Sequence, residues 1–278
     1  SVSCTKKWVC GNSEFLEKYF VTEYKDKQWI DSHEANGIFF NKAGNYLLDN
    51  YNESDIIICM WSPAVDILRT ILPNAKIVDG NYHVYSSVAN QHFNYGLHNI
   101  ENYWQDVVIA PMANELSNFT YNENKKDYFF FMARLGINKG ITLLKDLANQ
   151  FPDKKFIIAG QGDINIISLS PNMEFVGCLG AEERKKYLSE AKAVISPSYY
   201  AEPFGLTPIE AGLSGTPVIC TGFRCSYFND FVKAINNIDK IKPKDCREWA
   251  EQFTAESLID EWEDYLQKIN RPDWYSLD

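Results

Sequence analysis

The stretch that decides the fold is "AVISPSYYAEPFGLTPIEAGLSGTPVICT", residues 193–221. It opens on the apolar run "AVIS" and closes on a second, "PVICT". Short, uniformly apolar runs bounded by turn residues read as strands buried on both faces, the habit of a parallel sheet. Between them, "GLTPIEAGLSG" has the small and apolar residues of a buried helix. Strand, helix, strand at this spacing is a βαβ unit. Ligands in such folds bind beyond the carboxyl ends of the strands. The loop "PSYYAEPFG" occupies that position, with Glu202 inside it and Glu210 eight residues further on in the helix.

The same rhythm extends upstream. "YFFFMA" (128–133), "KKFIIAG" (154–160) and "MEFVG" (173–177) read as strands, and "KGITLLKDLANQF" and "AEERKKYLSEA" as helices between them. Residues 127 to about 255 are therefore expected to form a doubly wound α/β domain. Further upstream, "DIIICMW" (55–61), "AKIVD" (75–79) and "DVVIA" (106–110) read as strands of a second, smaller α/β domain. The polar segment "PMANELSNFTYNENKKD" (111–127) reads as the linker. The boundary is placed to give domains of 1–122 and 123–278.

Bulk properties narrow the function classes. Among 278 residues, 27 are basic and 37 acidic, a net charge of −10. Both domains share the excess: 8 Lys/Arg stand against 14 Asp/Glu up to residue 122, and 19 against 23 after it. Duplex nucleic acid and anionic membranes call for basic faces, so neither is the expected main partner. No run approaches the roughly 18 apolar residues of a membrane span, and Ser1 opens no signal-peptide pattern. The seven cysteines are odd in number, scattered, and form no C-x-x-C pair. A reduced, cytoplasmic setting without stable membrane insertion is expected.

Three constellations carry the chemistry, and each has a plainer reading beside it. In "MARLGINKG", Arg134 follows a strand and Lys139 lies five residues on at a helix start. Two cations beside helix amides suit a diphosphate; they also suit a solvated loop. "AGQGD" (159–163), with Gly160, is a tight turn or a close approach to a ligand, and it lacks the spacing of a dinucleotide fingerprint. In the decisive stretch, Gly205 precedes a helix start whose first amides have no intrahelical acceptor and can hold phosphate. Glu202 and Glu210 can each accept hydrogen bonds from vicinal hydroxyls; alternatively they are two surface glutamates around a capped helix.

These residues resemble a known family. Arg134-x4-Lys139, Glu202-Pro-Phe-Gly and Glu210 are similar to the donor-site signature of retaining GT-B glycosyltransferases of family 4, the glycosyl transferases group 1. "EFVGCLGAEERKKYLSEAKAVISPS" and "SGTPVICT" resemble it too, so the likeness is close from about 128 to 222 and looser to the end. The resemblance implies a GT-B-like α/β fold: two Rossmann-like domains with the donor site in the cleft, the N-terminal one reduced. It implies that Arg134 and Lys139 neutralise the nucleotide diphosphate and that Glu202 holds donor-sugar hydroxyls. Phe204, Gly205 and Leu206 would offer backbone amides, Glu210 would bind the ribose diol, and Cys178–Leu179 would pass the base. His83, after the strand at 75–79, is the candidate polar group of the N-terminal domain; it is otherwise an exposed or structural histidine.

The implied reaction is retaining transfer of a sugar from a nucleotide-diphosphate sugar, a UDP- or GDP-sugar, to a hydroxyl of a glycan or other acceptor. No cofactor and no metal are expected, and the chain has no D-x-D pair. The missing Gly-Gly opening loop and an N-terminal half of about 120 residues depart from the family pattern, which puts acceptor recognition in doubt. Three rivals share the architecture: a GT-B epimerase, a DNA-base glucosyltransferase that the acidic balance disfavours, and a catalytically silent nucleotide-sugar-binding or scaffold protein.

Overall fold

The computed structural model describes residue 41 and residues 44–59, 62–79, 84–98, 106–111, 115–199, 202–221 and 227–269. These divide into two compact units, 41–85 with 94–108, and 86–93 with 109–269. Among them no helix is long and apolar enough to cross a membrane.

The smaller unit is built from parallel pairs. Ile56–Cys59 (β1) lies beside Lys76–Asp79 (β2), with Ile56 opposite Lys76, and helix Ser62–Ile71 (α1) connects them. Val65 and Leu68, three apart on α1, pack with Leu47, Ile57 and Ile77. Val84–Tyr85 (β3) pairs in parallel with Val107–Val108 (β4). Helix Val88–His98 (α2) follows β3. The aromatic segment around it divides its labour: Tyr85 is buried and meets Tyr95 edge-on at 5.8 Å, while Phe93 and Leu97 are exposed.

In the larger unit, Tyr128–Met132 (β5), Lys155–Ala159 (β6), Met173–Phe175 (β7), Ala193–Ser196 (β8) and Val218–Cys220 (β9) form one parallel sheet in the order β7-β6-β5-β8-β9. Alternation along β5 sends Phe129 and Phe131 to one face and Tyr128 and Phe130 to the other. Helices Ile141–Gln150 (α3) and, further along the chain, Phe228–Asn237 bury Leu144, Leu147, Phe231 and Ile235 on the first face. On the second, Leu188 of Ala181–Glu190 (α4) and Ala211 of Leu206–Leu213 (α5) pack with Phe130 and Val194. Both faces are covered, which is why these strands read as continuous apolar runs. The chain steps from β5 outward to β7, then returns to the other side of β5 at β8. The carboxyl ends of β5 and β8 thus form the topological switch point where a crevice opens.

Besides residues 86–93, the larger unit takes in the chain from residue 109 onward, so the segment 111–127 read as a linker falls within it. The reason is that much of the presumed linker is fastened down. Leu116 and Phe119 pack against Ile209, Leu213 and Ala250, and Trp262 Nε1 donates to the Ala110 carbonyl at 3.0 Å. Lys125 makes the strongest tie. Its Nζ donates to Ser189 O at 2.8 Å, Ser214 O at 3.1 Å and Thr216 Oγ1 at 2.8 Å. Ser189 and Ser214 lie at the carboxyl ends of α4 and α5, where the helix dipole favours a cation. Burial pushes the Lys125 pKa down to about 8, which leaves it protonated at pH 7. Replacing it by methionine removes a donor from three buried acceptors, of which Ser214 O keeps a bond from Asn122 N at 3.3 Å. Lys125→Met is expected to cost about 2–3 kcal/mol in urea unfolding, whereas Lys126→Met, which loses an exposed pair with Glu190, is expected to cost under about 1 kcal/mol.

Candidate functional site

The switch point is assembled by two loops that approach each other through their backbones. After β5 the chain makes a short 3-10 turn, Ile137–Lys139, closed by Gly140 in the left-handed region at φ 78°. A Cβ at Gly140 would stand 1.9 Å from the Pro197 carbonyl oxygen, so only glycine admits the contact. Two residues later in the β8 loop, Tyr199 N donates to Asn138 O at 2.9 Å. The loop after β6 is held in the same way. Gly160, at φ 147°, leaves no room for a Cβ beside the Ala133 carbonyl, and its own amide donates to Gly177 O at 2.9 Å. Gly160 therefore has a backbone-packing role, and its amide is already engaged.

This arrangement brings Lys139 and Glu202 together across 63 residues of chain: Lys139 Nζ lies 2.5 Å from Glu202 Oε1. The same oxygen accepts from Ser198 Oγ at 2.8 Å, and Ser198 is buried. Arg134 is exposed just beyond β5. Downstream, Gly205 (φ 85°) opens α5, and the Phe204 ring turns away to meet Phe253 edge-on at 5.6 Å. That leaves the backbone of 204–206 and the helix start to face a ligand, with Leu206 exposed. Leu179 is half-buried against the second sheet face beside a half-buried, free Cys178. His83 lies outside the described residues.

Glu210 is the most informative side chain. It is only 8% exposed, and among the described residues its carboxylate accepts no hydrogen bond. Its one ionic neighbour is Arg184 of α4, with Nη1 3.7 Å from Oε1. Burial pushes the Glu210 carboxyl above its ordinary range, with Arg184 partly opposing this. A desolvated carboxylate without a hydrogen-bond donor among the described residues is costly to keep. On the other side of α5, two positions round the helix, Pro208 and Gly212 line a separate apolar cavity of about 240 Å³ with Cys220, Cys246 and Trp249. Among the described residues, no group of three His, Cys, Asp or Glu could hold a metal ion.

The structure thus brings Lys139 and Glu202 into contact, and puts Gly205 at the start of α5 and Glu210 within that helix, beside Arg184. Two further residues act on them, Ser198 and Arg184. Ser198 sits four before Glu202 in a loop with several polar residues, and Arg184 is one charge on a highly charged helix, so neither carried a distinctive sequence signal.

The family model for glycosyl transferases group 1 matches residues 113–263, just over half of the chain. The chain belongs to this family. It is 30% identical over 108 residues to an uncharacterized glycosyltransferase of Methanocaldococcus jannaschii, covering 35% of this chain and 27% of that protein. It is 26% identical over 184 residues to the sulfoquinovosyl transferase SQD2 of Arabidopsis thaliana, covering 62% of this chain and 35% of that protein. The chain therefore spans roughly a third of the length of these relatives. Among solved structures, Anabaena HepE in complex with UDP-glucose matches with a TM-score of 0.65 at 16% identity, covering 82% of each chain. That likeness is one of fold, the α/β GT-B architecture with its parallel sheet.

The Glu210 environment has a checkable consequence. Its folded-state pKa is raised above the ordinary 4.5, so the folded state binds the proton more tightly than the unfolded chain. This contribution is fully present below the unfolded value and is lost as pH rises through the folded one. At pH 7 the ionised carboxylate therefore weighs against folding. Glu210→Gln is expected to unfold at the same or a higher temperature than wild type at pH 7, with any advantage shrinking as pH falls through the raised folded-state value and gone below 4.5. A fall in melting temperature at pH 7 would contradict this account of the residue.

Proposed function

We propose that this group 1 member is a retaining, metal-independent transferase of the family 4 type. It moves a sugar from a nucleotide-diphosphate sugar to an acceptor hydroxyl of a glycan or glycoconjugate. The observation that carries the reading is the convergence of a cation from the β5 loop and a carboxylate from the β8 loop at 2.5 Å, beside a helix start and the buried, donor-poor Glu210.

Each part fits one part of such a donor. Arg134 and Lys139 neutralise the diphosphate, with the first amides of α5 adding partial positive charge. Glu202 accepts from hydroxyls of the donor sugar. Glu210 accepts from the ribose diol, which supplies the two donors that its burial withholds. Cys178 and Leu179, beyond β7, lie on the same sheet edge and flank the base; His83 is the candidate acceptor-side group. In the reaction, the bond from the anomeric carbon to the β-phosphate oxygen breaks and a bond from that carbon to the acceptor oxygen forms. The acceptor proton passes to the departing phosphate. Charge that builds on that phosphate meets two side-chain cations and fixed backbone dipoles, an electrostatic role filled by metal ions elsewhere. A UDP- or GDP-sugar is the proposed donor, and HepE, crystallised with UDP-glucose, makes the uridine nucleotides the first to try.

The test is thermal unfolding with EDTA present, against UDP, GDP, ADP and dTDP. A nucleotide at a hundredfold excess over its dissociation constant is expected to raise stability by about 2.7 kcal/mol. Arg134→Ala and Lys139→Ala should each weaken that nucleotide by roughly 10- to 150-fold, the loss of one charge-assisted contact. If millimolar concentrations of all four leave the melting temperature unchanged, the donor site is wrong as assigned.

A further inference from the structure

The Lys139 ammonium has two claims on it. In the structure it lies 2.5 Å from Glu202 Oε1, and in the proposed function it also neutralises the donor diphosphate. When phosphate oxygens arrive beside Lys139, its hold on the carboxylate weakens, at the moment when Glu202 must be in place for the sugar. A second, uncharged donor already stands on the same oxygen. Ser198 Oγ donates to Glu202 Oε1 at 2.8 Å.

Ser198 is suited to this because it is fixed independently of Glu202. It is 4% exposed. On one side of it, Pro197 has its carbonyl against Gly140, where a Cβ would be 1.9 Å away. On the other, Tyr199 N is bonded to Asn138 O at 2.9 Å. The hydroxyl is thus held by its backbone on both sides, and the carboxylate is the partner that adapts. A phosphate does not compete for a neutral hydroxyl as it does for an ammonium.

We propose that Ser198 is a positioning residue for Glu202: it keeps the carboxylate aimed at the donor sugar once the diphosphate has drawn on Lys139. This rests on the donor-site reading above. It separates the sugar-holding part of the site from the diphosphate-holding part, because a nucleoside diphosphate has no sugar for Glu202 to hold beyond the β-phosphate.

The experiment is calorimetric titration of wild type, Ser198→Ala and Ser198→Thr with the pairs UDP/UDP-glucose and GDP/GDP-mannose. In the pair that wild type binds, Ser198→Ala is expected to keep its affinity for the diphosphate within about twofold and to lose about tenfold for the sugar nucleotide. Ser198→Thr, which retains the hydroxyl, should recover most of that loss. A merely structural serine would lower both affinities together, and that result overturns the proposal. So does a Ser198→Ala protein that binds both ligands like wild type, although the donor-site reading then stands. If wild type itself binds none of the four, the donor-site reading fails and the role of Ser198 fails with it. Should Ser198→Ala not fold, Ser198→Cys keeps the shape with a weaker donor and carries the same two expectations.

Discussion

The backbone contact between Gly140 and Pro197 is the constraint on which the site depends. Without a Cβ at Gly140 the loop after β5 can rest on the loop after β8. That approach sets the distance between Lys139 and Glu202, two residues with no local relation in the chain. Adjacent strands β5 and β8 supply the two loops because the sheet order reverses there. A charged pair at the switch point is thus a product of topology first and of side-chain chemistry second. Being partly screened from water, the pair holds its geometry better than a surface ion pair would, and its geometry is what a donor meets.

Helix α5 carries the second half of the arrangement. Its start faces the ligand edge, one side presents Glu210, and the other packs on Pro243–Glu251, where Gly212 leaves no space for a Cβ beside Ala250. A helix of eight residues has little intrinsic stability, so its position comes from these contacts and from Lys125 at its carboxyl end. The strap from 115 to 127 and the terminal helices therefore belong to the site's support, although none of them reaches it.

The parallel sheet was legible because its strands are buried on both faces and leave unbroken apolar runs. Lys139 and Glu202 stood out because charges in the loops after such runs fall on one edge of the sheet, and Glu210 stood out by its spacing of eight from Glu202. The strap was not: "SNFTYNENKKD" is polar, and it is tied down by one lysine reaching carbonyls 64 and 89 residues away. Composition cannot anticipate contacts so distant in sequence. Gly160 was open to two readings in the sequence, a tight turn or a close approach to a ligand, and here its missing Cβ makes room for the Ala133 carbonyl. Ser198 was invisible for a third reason. A serine gains meaning only from the geometry of the loop that holds it. In the N-terminal half, two-residue strands such as Val84–Tyr85 are too short to leave a periodic signal.

The central claim is that the nucleotide diphosphate is held at the ends of β5 and β8 and at the start of α5. Hydrogen exchange measured with and without the bound nucleoside diphosphate, in EDTA, tests the location directly. The account predicts slowed exchange concentrated at residues 134–140 and 204–207, with little change in the helix Pro243–Glu251 that borders the apolar cavity. Protection centred on that helix and on Val218–Cys220, with none at 204–207, would place the ligand on the other side of α5 and contradict the account.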